Sequence, residues 1–452
     1  MSGKEQLQLL ERYYNKEGSQ LLVVYGQKNI GMEQQLRDFC TGKTCHYYHA
    51  RACSEREQLY LWGKELQESG AVLPEYPDFT QIFQAICEAD SAKKVIVIED
   101  FHNIIKQSDD FMPWLVRFMK DEKKLQDVMI IFTSTAIGWI ENSMVARIGS
   151  AAYLISGFVK MKEQGFAECK QYFSRNTKEQ QMEIYAVLGG YIQLWKQFEN
   201  GLSVKENICR HVLPKESYLH EEALRIVAGE LREPGVYHTI LCALAAGRQK
   251  LNDLHLHTGF SRAKISVYLK NLMELELVEK VFSYDTAGRE HSQKGIYRIS
   301  NPFVAFYFRF IYPNMSALAY MKPEAFYETY IQNEFAGFVE TAFKKICTEA
   351  LVEMNEKQAL PASGIKIGEW IGKIGDIDII AQTEDGKITI ALCNWEKEKI
   401  MFEDYEWFLF CADKAKISAD YICLFSARGF DEKIILEAEE RGIIKLYTAE
   451  TL

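Results

Sequence analysis

The chain has 452 residues, of which 48% are hydrophobic and 26% charged. That balance excludes a disordered chain, a collagen-like chain and a small disulfide-stapled scaffold, and gives room for about three domains. A formal net charge of -10 excludes a surface coated in positive charge, while leaving room for a local basic patch.

The N-terminus, MSGKEQLQLLERYYNKEG, is polar and helical in pattern and does not read as a signal peptide. The longest apolar runs, such as 21–25, fall far below the ~18 residues a membrane span needs. Eleven cysteines are scattered from Cys40 to Cys423 with no C-x-x-C pair. The clusters Cys40, Cys45 and His49, and His255 with His257, read as reduced thiols and imidazoles rather than a metal site. The expectation is a cytoplasmic protein without a membrane partner.

Residues 1–157 alternate apolar blocks with longer amphipathic stretches. LLVVY at 21–25, CHYYHA at 45–50, KVIVIED at 94–100 and DVMIIFTST at 127–135 read as strands. The continuous apolar runs among them are the pattern of parallel strands buried on both faces, with crossover helices between. The α/β domain so predicted gives way to a helical segment over 158–232. A compact unit follows over 233–312. Its helices are YHTILCALAAG, LNDLHLHTG and SRAKISVYLKNLMELELV, and its hairpin is formed by EKVFSY and KGIYRIS. Three helices and a hairpin make a winged helix. The last segment, 313–452, carries a hairpin of IGDIDIIAQ and KITIALCNW turning at EDG, then the strand YICLFSARG.

The first strand leads into Gly26, Gln27, Lys28, Asn29, Ile30, Gly31, Met32 and Glu33. Against the phosphate-loop pattern G-x-x-x-x-G-K-[ST], both glycines stand at the right spacing, so the backbone can curl around a phosphate. Met32 holds the lysine position and Glu33 the hydroxyl position. Phosphate chemistry thereby loses a cation and an Mg²⁺ ligand, and gains a carboxylate. Lys28 offers charge from a non-standard place. Thr41-Gly42-Lys43-Thr44 contains a GKT, but Arg37 stands where the first glycine is needed, so a turn is the better reading. The strand 94–100 ends in Glu99-Asp100, the reverse of the Asp-Glu order that sets a metal ligand before a catalytic base. Asp100 holds the base position, one methylene short. Ser134, at the end of the next strand, stands where a polar group would face a terminal phosphate.

These residues resemble the archaeal-type ATPases of prokaryotes, AAA+/STAND-like P-loop proteins with a winged helix and a C-terminal PD-(D/E)xK nuclease-like domain. The resemblance rests on the 26–31 loop, the acidic strand end at 99–100 and Gly189-Gly190. It also rests on GELREPGVYHTIL at 229–241, KGIYRISNPFVAFYFRF at 294–310, IGEWIGKIGDIDIIA at 367–381 and ALCNW. It implies a site for ATP or ADP, with Mg²⁺ only alongside the nucleotide. For the C-terminal domain it implies a metal held by a helix glutamate, a hairpin aspartate and an E-x-K strand. Glu340 and Asp378, with Asp376 beside it, match the first two. Leu392 and Asn394 replace the glutamate and lysine of the third, so a sheet with Leu392 facing Asp378 is expected, without cleavage.

The winged helix supplies candidate DNA contacts at Arg262, Lys264, Lys270, Ser261 and Ser266 on its third helix, and at Arg289, His291 and Lys294 in the wing. Glu274, Glu276 and Glu279 follow closely, which fits an internal lid or an oligomer contact as well as duplex DNA. Three functions compete: a signalling ATPase, a degenerate nucleotide-binding protein acting through a partner, a homo-oligomer or a conformational change, and a DNA-binding regulator. The residues favour the second, a pseudo-ATPase with a pseudo-nuclease.

Overall fold

The computed structural model describes residues 3–88, 93–121, 127–228, 231–285, 295–356 and 364–452. The chain forms two compact units, Met1–Glu163 and Gln164–Leu452.

In the first unit, β1 (Gln20–Tyr25), β2 (Thr44–His49), β3 (Lys94–Glu99), β4 (Val128–Ser134) and β5 (Ile155–Lys160) form one parallel sheet in the order β2-β3-β4-β1-β5. Every residue of β1 and of β4 is buried, because crossover helices cover both faces of a parallel sheet. One apolar layer joins Val23, Ile96, Ile98, Ile130 and Phe132 to Trp62, Phe83 and Leu115 from those helices.

β1 lies between β4 and β5, so the connection leaving β1 passes β4 and β3 to reach β2. The carboxyl ends of β1, β3 and β4 therefore adjoin where the chain direction switches, which is where open α/β sheets bind ligands. The sequence reading starts a helical segment at 158, whereas strand β5 runs on to Lys160. Its residues alternate between exposed and covered, and Gly157 lies where an added Cβ would come 2.4 Å from the Tyr13 hydroxyl. A short strand with glycine inside gives little strand signal.

The second unit begins with helices that include Lys178–Leu188. Gly190, just past that helix, passes so close to Gln164 that an added Cβ would meet its carbonyl oxygen at 1.9 Å. Helices Pro234–Ala245, Leu251–Thr258 and Arg262–Glu274 follow, then β6 (Val278–Val281) and β7 (Ile296–Ile299), paired antiparallel. Gly259, at φ 72°, ends the second of these helices in the left-handed conformation, and Ser261 Oγ accepts the Lys264 N–H at the start of the third.

The long helix Gln332–Glu356 leads to a sheet ordered β12-β11-β10-β9-β8, made of β8 (Gly364–Trp370), β9 (Ile377–Thr383), β10 (Ile388–Asn394), β11 (Tyr421–Ser426) and β12 (Ile444–Thr448). Pairs β8–β9 and β9–β10 are antiparallel, while β10–β11 and β11–β12 are parallel. Helices Phe402–Lys414 and Glu432–Glu440 supply Tyr405, Phe408, Ala412 and Ile434 to one apolar cluster with Ile380, Ile390 and Leu424. The β9–β10 hairpin turns at Gly386, φ 85°, where Thr383 N–H donates to Lys387 O at 3.0 Å.

Candidate functional site

At the carboxyl end of β1 the loop 26–31 runs into helix Met32–Cys40. Gly26 N–H donates to Ser134 O at 3.3 Å, tying the loop to β4. A Cβ at Gly26 would stand 2.7 Å from both Ile30 Cδ1 and the Met161 carbonyl oxygen. Glycine there is thus a requirement of close approach. Asn29 at φ 68° and Gly31 at φ 87° turn the chain through two left-handed residues, and Ile30 is buried beneath them. Lys28 and Glu33 are exposed, and Met32 is half-buried.

Glu99, at the end of β3, is the electrostatic centre of this end of the sheet. Burial pushes its carboxyl above the usual range, the Glu33 charge adds to the rise, and His49 opposes it, with Nδ1 3.5 Å from Glu99 Oε2. Asp100 follows in the left-handed region at φ 49°, its Oδ1 3.9 Å from His102 Nδ1. Burial holds His102 down to about 4, with Lys106 and Lys28 adding to the effect and Asp100 opposing it, so the imidazole is neutral at pH 7. Ser134 is fully buried, and its hydroxyl is engaged by His102 Nδ1 at 2.9 Å and by the Ala136 N–H at 3.1 Å. The residues singled out on β1, β3 and β4 therefore do gather at one end of the sheet. His102 joins them, unmarked by any sequence pattern, and so does His49, which the sequence groups only with Cys40 and Cys45.

The C-terminal candidates also come together, with a partner that the sequence reading missed. Asp378, on β9, accepts the Cys393 N–H at 2.8 Å, and its other oxygen lies 2.6 Å from Lys344 Nζ. Lys344 stands one turn after Glu340 on the long helix. Burial lowers its pKa, but the charges of Asp378 and Glu340 outweigh that and leave it raised. Glu340 accepts the Trp395 and Glu396 N–H groups at 2.6 and 3.0 Å, and its carboxyl is raised by burial against those two bonds. An ammonium and three backbone donors thus satisfy the carboxylates. Leu392 packs against the cluster of Ile380, Ile390, Tyr405 and Phe408, while Asp378 turns to the long helix. Asn394 closes a turn through Lys397, and Asp376 accepts the Gly372 N–H. Among the described residues, no group of three or more His, Cys, Asp or Glu side chains is placed to hold a metal ion.

On the winged helix, Ile265, Leu269 and Leu272 are buried, and Arg262, Ser266, Val267 and Lys270 are exposed on the opposite face. Arg262 donates to Asn252 Oδ1, and Lys270 lies 3.8 Å from Glu274. Lys264 is half-buried, its ammonium over the rings of Phe260 and Tyr268 at 4.8 and 5.6 Å. Arg289, His291 and Lys294 lie outside the described residues. The base of the wing docks on β8: Tyr284 N–H donates to Glu369 O at 2.7 Å, Ile371 N–H to Ser283 Oγ at 3.1 Å, and Arg298 forks onto Glu369 at 2.5 and 2.7 Å. The hairpin serves an internal contact while the third helix keeps a bare outer face.

No described helix is long and apolar enough to cross a membrane. Residues 239–280 match the family described as bacterial regulatory protein, arsR family. Residues 307–404 match the family described as Archaea bacterial proteins of unknown function. An uncharacterized protein of Methanocaldococcus jannaschii is 25% identical over 406 residues, covering 89% of this chain and 86% of that one. Among solved structures, the chain is similar to a Walker-type ATPase of Pyrococcus abyssi, at 15% identity and TM-score 0.48, covering 68% of this chain and 95% of that one. It is also similar to the ORC2 protein of Aeropyrum pernix, at 12% identity and TM-score 0.46, covering 68% and 91%.

Proposed function

We propose that the chain is a nucleotide-binding protein of the AAA+/STAND-like kind that acts by binding and conformational signalling, without phosphoryl transfer or phosphodiester cleavage. The observation that carries this is the acidic pair Glu33 and Glu99 beside the loop, where burial first and the Glu33 charge second raise the Glu99 carboxyl. Phosphoryl transfer rests on positioning and neutralisation of charge. Here a carboxylate stands at the hydroxyl position, and no lysine follows Gly31. The tight approach at Gly26 and the two left-handed residues fit a loop that holds phosphate through backbone N–H groups, with Lys28 as the nearby cation. If Mg²⁺ accompanies the nucleotide, Glu33 and Glu99 are the residues that would hold it, as hard oxygen ligands. In the C-terminal domain, the Lys344–Asp378 pair supports the reading of a nuclease-like shell.

The test is equilibrium binding of ATP and of ADP alongside phosphate release with Mg²⁺. Binding without turnover is expected. Turnover of about 1 s⁻¹, the low end of typical enzyme values, that Asp100→Ala abolishes would overturn the proposal.

A second reading, a DNA contact through helix Arg262–Glu274, is favoured by its bare outer face carrying Arg262, Ser266 and Lys270. Binding to duplex should then weaken steeply with salt, and Arg262→Ala with Lys270→Ala should shallow the slope by about one unit for each phosphate no longer neutralised. Binding that ignores both changes would leave the unit as an internal contact alone.

A further inference from the structure

The turn between helix Met32–Cys40 and β2 brings two thiols together. Cys40 is the last residue of the helix and Cys45 the second of the strand. The chain reverses through Gly42 at φ 78°, with Thr41 N–H on Asp38 O at 3.2 Å and Lys43 N–H on Cys40 O at 2.9 Å. The Cys45 thiol donates toward Cys40 O at 3.9 Å, which brings its sulfur to the end of the helix where Cys40 stands. A cation is fixed beside them: Lys43 Nζ is held by Glu11 at 2.6 Å and by Phe39 O at 2.7 Å. Cys40 is buried and Cys45 half-buried, so a small oxidant is the reagent this corner admits more readily than a protein thiol.

We propose that Cys40 and Cys45 form a dithiol that a hydroperoxide converts to an intramolecular disulfide, Cys40 reacting first and Cys45 resolving it. Cys40 Sγ, as thiolate, attacks one oxygen of the hydroperoxide. The S–O bond forms, the O–O bond breaks, and the other oxygen leaves as water or an alcohol after taking a proton. Cys40 is thereby oxidised by two electrons to a sulfenic acid. Cys45 Sγ attacks that sulfur, gives up its proton, and the sulfenic oxygen departs as water. Two thiols and one hydroperoxide give one disulfide, one water and one further water or alcohol.

The order of reaction follows from the surroundings. The Cys45 contact draws the Cys40 thiol down to about 7 against its burial, with Tyr47 and Lys43 helping, and the same contact pushes Cys45 up. A thiol with pKa near the ambient pH is the best attacking group, because thiolate fraction and nucleophilicity oppose each other. The gain over an ordinary exposed thiol is about threefold at pH 7. The other cysteines are internal controls. Burial raises Cys53, where the thiol donates to Gln58 Oε1, and it raises Cys169 and Cys423.

The experiment treats the full chain with hydrogen peroxide at pH 7, blocks remaining thiols by alkylation, and maps peptides by mass. The expected product is a reductant-reversible link between Cys40 and Cys45, formed at least about threefold faster than Cys53 loses its thiol. Cys45→Ser should leave a sulfenic acid at Cys40 that a carbon nucleophile traps, and Cys40→Ser should leave Cys45 inert. Circular dichroism checks both variants, and if either fails to fold the mapping of the unmodified chain decides alone. Cys40 and Cys45 still open to alkylation after Cys53 is oxidised would overturn the proposal.

Discussion

Replacing Lys344 with methionine removes the charge and keeps the alkyl stem. Asp378, whose side chain is only 9% exposed, then keeps a single partner, the Cys393 N–H. Breaking a buried pair from one side costs roughly 3–5 kcal/mol. The Lys344 side chain is 40% exposed, so water screens the pair and takes up part of the loss. The working figure is therefore about 2–3 kcal/mol. In urea, with a slope of about 2–3 kcal/mol per molar, the midpoint of the C-terminal unit should fall by about 1 M. Lys344→Met combined with Asp378→Asn should recover part of this, a coupling of about 1–2 kcal/mol in a double-mutant cycle. The same logic reaches chemistry. Without the ammonium, Asp378 and Glu340 become a pair of carboxylates able to take Mn²⁺ or Mg²⁺, so Lys344→Ala should show stronger calorimetric cation binding than the unmodified protein. A Lys344→Met protein as stable as the parent, with no coupling to Asp378, would refute the argument.

Glu99→Gln should stabilise the first unit at pH 7–8, because its raised carboxyl makes the ionised form costly in the fold; the gain should vanish as pH falls through the ordinary glutamate value of about 4.3, which thermal melts at both ends of the range would read. Glu183 is held up to about 7, first by burial and then by Glu179, so its cost is absent below the usual 4.5 and complete above 7. Glu183→Gln should therefore add stability at pH 8, by about 3 kcal/mol as an upper figure, and none at pH 4. Gly190→Ala drives a methyl into Gln164 O and should cost about 1–3 kcal/mol or more in urea unfolding, whereas Gly247→Ala, with open space around it, tests only the positive φ of 83°.

How far the sequence foretold the fold depends on how each element is buried. β1, β3 and β4 are interior parallel strands, and interior burial writes a continuous apolar run that needs no neighbour to be recognised. Edge strands write no such run. β5 mixes Ser156 and Gly157 into ISGFVK, and β8 reads GIKIGEW, so neither stands out from a loop. The winged helix was legible because its stop and start signals are local: Gly259 closes one helix and Ser261 opens the next.

The sites divide along the same line. Loop glycines and strand-end carboxylates carry spacing in the sequence, so Gly26, Gly31, Glu99 and Asp378 were visible in advance. Lys344 and His102 were not, since each acquires its role from a partner more than thirty residues away, Asp378 in one case and Ser134 in the other. That blind spot matters because the two sites are electrostatically opposite. In the C-terminal sheet Lys344 supplies a cation to Asp378, and Glu340 is met by backbone N–H groups. The end of the sheet beside the 26–33 loop is acidic instead. Glu33 and Glu99 add negative charge beside the place where a polyanion would sit, and the Glu99 carboxyl is raised by burial first and by the Glu33 charge second. A bound cation therefore relieves strain at the first site, whereas at the second it must displace an ammonium already paired at 2.6 Å. Divalent metal should accordingly raise the melting temperature of the first unit when nucleotide is present and leave that of the second unchanged. The reverse pattern would place metal binding on Asp378 and Glu340 instead.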